Sequence, residues 1–184
     1  MVEYYCQMMK TGEYMDENGI SNKHFKEIIH NYDEEWRIRM AMLREHAPKD
    51  LYIYNKYVLK AEEGDNSFVP LVKFHRELCN FVTDRHDRKK LVLIPRSHLK
   101  SKLITIGYSL FRICNDPKVR ILIYSATWQM AVDLHLAIQK QLEGNAMLHE
   151  LFGNLAKDSK EWSQDRTRLA VNDKRDPTIT AAGI

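Results

Sequence analysis

The residues best suited to chemistry lie in Leu91-Val-Leu-Ile-Pro-Arg-Ser-His-Leu-Lys-Ser101, where an apolar run stops at Pro95-Arg96 and restarts as a helix opening on Lys100-Ser101. That order is the layout of a phosphate-binding loop. It needs a buried strand, a tight turn whose N–H groups face an anion, a lysine for the terminal phosphates and a hydroxyl for magnesium. The common form is G-x-x-x-x-G-K-[ST], and here Ile94 and Leu99 stand at the two glycine positions. Leu99 puts a side chain where backbone must approach phosphate closely, and Pro95 has no N–H to offer. Arg96 sits within the turn with a planar fork suited to phosphate oxygens. Ser101 fits magnesium ligation and equally fits a solvated serine in a first helical turn. Ser97 and His98 complete the loop, His98 also reading as an exposed loop histidine. Lys100 has the plain alternative of a surface lysine.

The elements that must position these residues follow from hydrophobic spacing. Residues 16–46 read as a helix, with Phe25, Ile28, Ile29, Tyr32, Trp36, Met40 and Leu43 near three- and four-residue spacing, ended by Pro48. A short helix follows over Leu51 to Lys60, then a loop at Glu62 to Ser67. Leu71, Phe74, His75, Leu78, Phe81 and Val82 again have helical period. Asp84 to Lys90 is a charged loop entering the Leu91 strand. Leu103, Ile106, Leu110, Ile113 and Cys114 stripe the helix after the loop, stopped by Asn115-Asp116-Pro117.

Val119 to Tyr124 supplies a strand of the doubly buried kind, and Thr127 N-caps a helix striped by Ala131, Leu134, Ile138 and Leu142 and ended by Gly144. Ser125, Thr127 and Trp128 fall at the carboxyl end of that strand, where ligands meet open α/β sheets. Beyond Trp162, which reads as a packing residue or a stacking surface, Arg168 to Val171 and Thr178 to Ala181 read as short strands around a polar turn. The expectation is an α/β fold, a P-loop NTPase-type parallel sheet flanked by helices. Residues 1–66 form an N-terminal helical segment and residues 67–184 the sheet domain.

Composition bounds the function. The 184 residues, 44% hydrophobic, suffice for one real core. Apolar runs of about five residues fall far below the roughly twenty that cross a bilayer, and Met1-Val-Glu-Tyr-Tyr lacks the order of a signal peptide. Cys6, Cys79 and Cys114 are odd in number and widely spaced, against a disulfide framework or zinc site and in keeping with a reducing cytoplasm. The net charge of +3 is uneven: residues 1–66 carry 13 acidic and 9 basic side chains, residues 67–184 carry 12 and 19. A second part at +7 suits a polyanion such as nucleic acid or nucleotide phosphate. No histidine or carboxylate cluster has metal-ligand spacing, and no nucleophile elbow is present.

From about Phe74 onward the chain resembles the ATPase domain of the phage terminase large subunit, the motor that drives DNA into a procapsid. The likeness rests on His75-Arg-Glu-Leu-Cys79, Pro95 to Ser101 as a deviant Walker A loop, Ile113-Cys-Asn-Asp-Pro117, Ile121-Leu-Ile-Tyr-Ser-Ala-Thr127, Trp162 and Pro177-Thr-Ile-Thr-Ala-Ala-Gly-Ile184. It implies that ATP and Mg²⁺ bind at Pro95, Arg96, Ser97, His98, Leu99, Lys100 and Ser101. Lys100 would hold the β- and γ-phosphates, Ser101 the metal, and Arg96 would stabilise the γ-phosphate as the catalytic arginine. It further implies double-stranded DNA, a portal protein and a small terminase subunit as partners, a homo-oligomer on the capsid portal, no membrane, and the host cell cytoplasm.

Hydrolysis also needs an apolar strand ending in paired carboxylates, and Lys102 to Ile184 has none, Leu169-Ala-Val-Asn-Asp173 coming nearest. The family places that element, and then a nuclease domain, after the segment matched by Ile184. The expectation is therefore an N-terminal portion of the motor that binds nucleotide without complete catalytic machinery. A helicase-like nucleic-acid-dependent P-loop ATPase and a non-catalytic interaction module remain alternatives.

Overall fold

A computed structural model describes residues 22–60, 70–87 and 89–184, without the side chains of 22–32. Residues 16–21 of the expected first helix, the side chains of Phe25, Ile28, Ile29 and Tyr32, Cys6, the Glu62–Ser67 loop and the expected boundary at residue 66 lie outside the described residues. The chain divides into two compact units, Met1–Ala41 and Met42–Ile184. In the first, what is described is helix α1, Asn22–His46, which continues into the second. Trp36 on α1 is exposed rather than part of an apolar face. Ala47 N–H still bonds the Leu43 carbonyl, and Pro48 then has no N–H to continue.

In the second unit α2 begins at Leu51–Ile53 and runs into a π-helical turn, Tyr54–Val58. Asp50 starts it, its Oδ1 accepting from the Tyr52 and Ile53 N–H groups at 2.8 and 3.1 Å. Helix α3, Lys73–Thr83, buries His75, Leu78, Cys79 and Val82 as the spacing predicts. Lys90 then folds back and donates to the carbonyls of Phe81, Val82 and Asp84, a cation at a helix C-terminus.

Helix α4 is π-helical over Ser101–Tyr108 and α-helical over Ser109–Asn115. The π-helical stretches of α2 and α4 pack on each other. Buried Asn55 donates from Nδ2 to the Leu103 carbonyl at 3.3 Å, and a Cβ at Gly107 would fall 1.9 Å from Asn55 Oδ1. Periodicity announces a helix here, but 3.6-residue spacing does not distinguish the wider π-helical turn that carries this interhelix contact.

Strand β1 is Ile121–Ser125, helix α5 Trp128–Gly144 and helix α6 Ala146–Phe152. Strands β2, Glu161–Trp162, β3, Arg166–Arg168, and β4, Ile179–Gly183, complete one sheet in the order β1-β4-β3-β2. β1 and β4 are parallel; β4 with β3 and β3 with β2 are antiparallel. The fold is mixed α/β, and the sheet is mixed rather than wholly parallel. The expected strand over Arg168 to Val171 ends earlier, because buried Asn172 organises the turn with bonds to the Asp176 carbonyl and Thr178 Oγ1.

Helix α5 packs on β1 and β4, and Ile123, Thr167, Ile179 and Ala181 are buried in the sheet. The alternate residues Leu122 and Tyr124 are 66% and 63% exposed, so β1 is not buried on both faces as expected. The core joins Tyr54, Val58, Leu103, Leu110, Ile113, Ile138, Leu142, Leu148 and Ile179.

Candidate functional site

The run Leu91 to Ile94 is extended, but it is not a strand of the sheet, and no backbone hydrogen bond of residues 91–95 is formed among the described residues. This corrects the expectation of a buried strand. Val92 and Ile94 pack against the core, whereas Leu91 and Leu93 are 76% and 80% exposed. Alternation along an extended chain sends neighbouring side chains to opposite sides, and only one side meets protein.

The loop itself has an unusual backbone. Arg96 and Ser97 form a turn, and Ser97 and Leu99 both take left-handed conformations, with φ of 66° and 54°. L-residues avoid this region because Cβ crowds the carbonyl, at roughly 1–2 kcal/mol per residue. Leu99 occupies the second glycine position of the motif and adopts the backbone that glycine would permit. Its side chain lies partly buried against the core. Its carbonyl accepts from Leu103 N–H at 2.8 Å, starting α4.

The N–H groups of residues 96–101 enter no hydrogen bond among the described residues. A left-handed residue followed by a right-handed one, as Leu99 and Lys100 are, is the backbone pair from which anion-binding nests are built. His98 donates from Nδ1 to the Arg96 carbonyl at 2.8 Å and meets the Phe74 ring edge-on at 6.4 Å, tying the loop to α3. Pro95, Arg96, Ser97, His98, Lys100 and Ser101 are exposed, so the Lys100 ammonium, the Arg96 guanidinium and the Ser101 hydroxyl are open to solvent.

At the carboxyl end of β1, Thr127 Oγ1 accepts from Met130 N–H at 3.3 Å, the cap that its position suggests. Trp128 opens α5 and is exposed; Ser125 is half-buried. Gly183 ends β4 against this point, where a Cβ would come within 2.3 Å of Trp128 N. Trp162 is half-buried, packs on the core and lines an open cavity of about 410 Å³ with Glu143, Lys157 and Asp158.

Asp173, nearest to the missing acidic element, lies in an exposed turn, where Lys118 Nζ at 3.1 Å holds its carboxyl below the usual range. Among the described residues no three His, Cys, Asp or Glu side chains gather to hold a metal ion. The free thiols Cys79 and Cys114 are poor nucleophiles, burial pushing them up to about 11 and about 12.

A buried, mutually bonded polar cluster among the described residues gave no motif. His135 is buried; the Gln164 carbonyl at 2.7 Å can only accept, so Nδ1 carries the proton. Neutral Nε2 then accepts from the Thr167 hydroxyl at 2.8 Å, and Thr167 Oγ1 accepts from Gln139 Nε2 at 3.0 Å. Burial lowers the pKa of His135. The cluster ties α5 to the β2–β3 hairpin. Spacing i, i+4 of His135 and Gln139 on the inner face of α5 was the one available signal.

No family model, curated protein or solved structure matches the chain.

Proposed function

We propose that Pro95 to Ser101 is a nucleotide-phosphate loop, and that the chain is the ATP-binding part of a P-loop motor of the phage terminase large-subunit kind. The observation that carries this reading is the pair of left-handed non-glycine residues, Ser97 and Leu99, immediately before Lys100. Backbone strain of this kind persists where a site requires the conformation. The open N–H groups of 96–101 and the exposed Lys100 and Arg96 suit a polyphosphate, Ser101 suits its magnesium ion, and bound nucleotide would supply the phosphoanhydride. Fit is incomplete on the acidic side, since the described residues bring no carboxylate cluster to a metal; the chain binds nucleotide weakly and turns it over negligibly.

In this reading duplex DNA is the cargo. A portal protein, a small terminase subunit and further copies of the chain are partners, in the cytoplasm of an infected cell. Among the described residues no helix is long and apolar enough to cross a membrane.

Thermal unfolding with and without Mg-ATP tests the loop. A ligand held only by the folded state stabilises it by about 2.7 kcal/mol at a hundredfold excess over Kd. The expected result is a higher Tm that Lys100→Ala abolishes. An unchanged Tm at saturating Mg-ATP overturns the reading in favour of a non-catalytic interaction module.

A further inference from the structure

The sheet face that carries Leu122 and Tyr124 also carries a group of arginines outside the loop. Arg120, Arg166, Arg168 and Arg175 line one open cavity of about 590 Å³, with Asp176 the one acidic lining residue among the described residues. Strand register explains the grouping. Leu122 pairs with Thr180, and Thr180 with Arg166, which sets the three in a row across the sheet. Arg168 lies two residues along β3, hence on the same face, and Arg120 directly precedes β1.

The four guanidinium groups differ in what holds them. Arg168 is half-buried, donates from Nη2 to the Arg175 carbonyl at 2.6 Å and stands 3.9 Å from Glu161. Its Nε is buried with no acceptor. Arg120 pairs with Asp176 at 2.5 Å, both ends more than half exposed, a contact that water and salt weaken. The side chains of Arg166 and Arg175 are exposed and form no ion pair or hydrogen bond among the described residues. Like charges gathered on one face repel, and a bound polyanion relieves the repulsion.

We infer that this face binds the phosphodiester backbone of a nucleic acid, with Arg166 and Arg175 as its mobile phosphate contacts and Arg168 as the fixed one. Guanidinium forks match phosphate oxygens in pairs. The exposed Tyr124 ring and Leu122, further along the same face, offer the flat apolar surface on which bases or sugars rest. An open face of this kind suits an extended chain of phosphates rather than one compact anion. The inference stands on these arginines and does not require that the Lys100 loop bind nucleotide.

Fluorescence anisotropy of a short labelled DNA duplex, and of one of its separated strands, tests it across a salt series. Arg166→Ala/Arg175→Ala, two exposed substitutions, should weaken binding on the order of tenfold and reduce the slope of log K against log salt by about 2 for duplex. Lys140→Ala, an exposed cation on α5 across the sheet from the arginines, should leave both unchanged; no nucleotide enters the assay, so failure here is separable from failure of the loop. Absence of binding by the intact chain, an unaltered slope in the double variant, or equally tight binding of tripolyphosphate or of polyglutamate overturns the proposal.

Discussion

Where α5 meets the β2–β3 hairpin, His135, Gln139 and Thr167 are buried and hydrogen-bonded to one another or to backbone carbonyls. Along 91–101 the backbone N–H groups of residues 96–101 are open, two residues are left-handed, and two leucines face solvent. Buried polar groups must find partners within the fold, because an unmet donor or acceptor costs about 1–3 kcal/mol. Exposed ones can wait for a ligand. The first region therefore reports on stability and the second on binding, and substitutions in the two should separate along that line.

The largest effect is expected at the seam between β4 and α5. At Gly183 a Cβ would lie 2.3 Å from Trp128 N and 2.4 Å from the Thr127 carbonyl carbon, both backbone atoms. Neither can turn aside as a side chain would, so α5 must shift from the sheet. Gly183→Ala should destabilise the fold by about 3 kcal/mol, read as a fall in urea midpoint at constant m. A loss under about 0.5 kcal/mol would show that the start of α5 yields, and that this region is looser than its hydrogen bonds suggest.

Thr167→Val should cost about 1–3 kcal/mol, since His135 Nε2 then accepts from no donor while remaining buried. Acid provides a second readout. Burial holds the His135 pKa below its ordinary value of 6.5, so the unfolded chain takes up the proton first. The contribution is fully present above about pH 6.5 and is lost as pH falls from there toward the depressed pKa. His135→Gln should flatten that part of the stability profile relative to the parent protein. A profile identical in both proteins would mean that His135 is not held neutral, and the contrast between the two regions would lose one side.

Much of the architecture was legible in the chain. Apolar spacing located α3, α4 and α5; Thr127 and Gly144 marked the ends of α5; Val119 to Tyr124 marked β1, which begins two residues later at Ile121. Each of these signals is local. The Leu91 run misled because composition distinguishes an apolar extended segment from a loop, but cannot say whether another strand lies beside it. β2 has two residues, too few for alternation to register. The π-helical opening of α4 is bonded at Leu103 by Asn55, 48 residues away in sequence, a contact that local spacing does not reveal.

The loop residues were legible by type, whereas the left-handed backbone at Ser97 and Leu99 was not, because neither residue favours it. The arginine face showed beforehand only as a surplus of basic residues; its members gather through the register of three strands.

The smallest expected effect tests whether loop strain is present and compensated. Ser97 is exposed and left-handed, so a glycine there removes the Cβ clash and loses no buried surface. Leu99 is a poorer probe, since its side chain also packs on the core. Relief of a left-handed residue is worth roughly 1–2 kcal/mol, and the greater freedom of glycine in the unfolded chain returns up to about 1 of that. Ser97→Gly should therefore raise stability by about 0.5 kcal/mol, against the usual direction for glycine. Urea midpoints of the two proteins decide it. If the variant is instead less stable by about 1 kcal/mol, as glycine is at a relaxed position, the turn carries no strain and the loop loses the feature that sets it apart from the α5 flank.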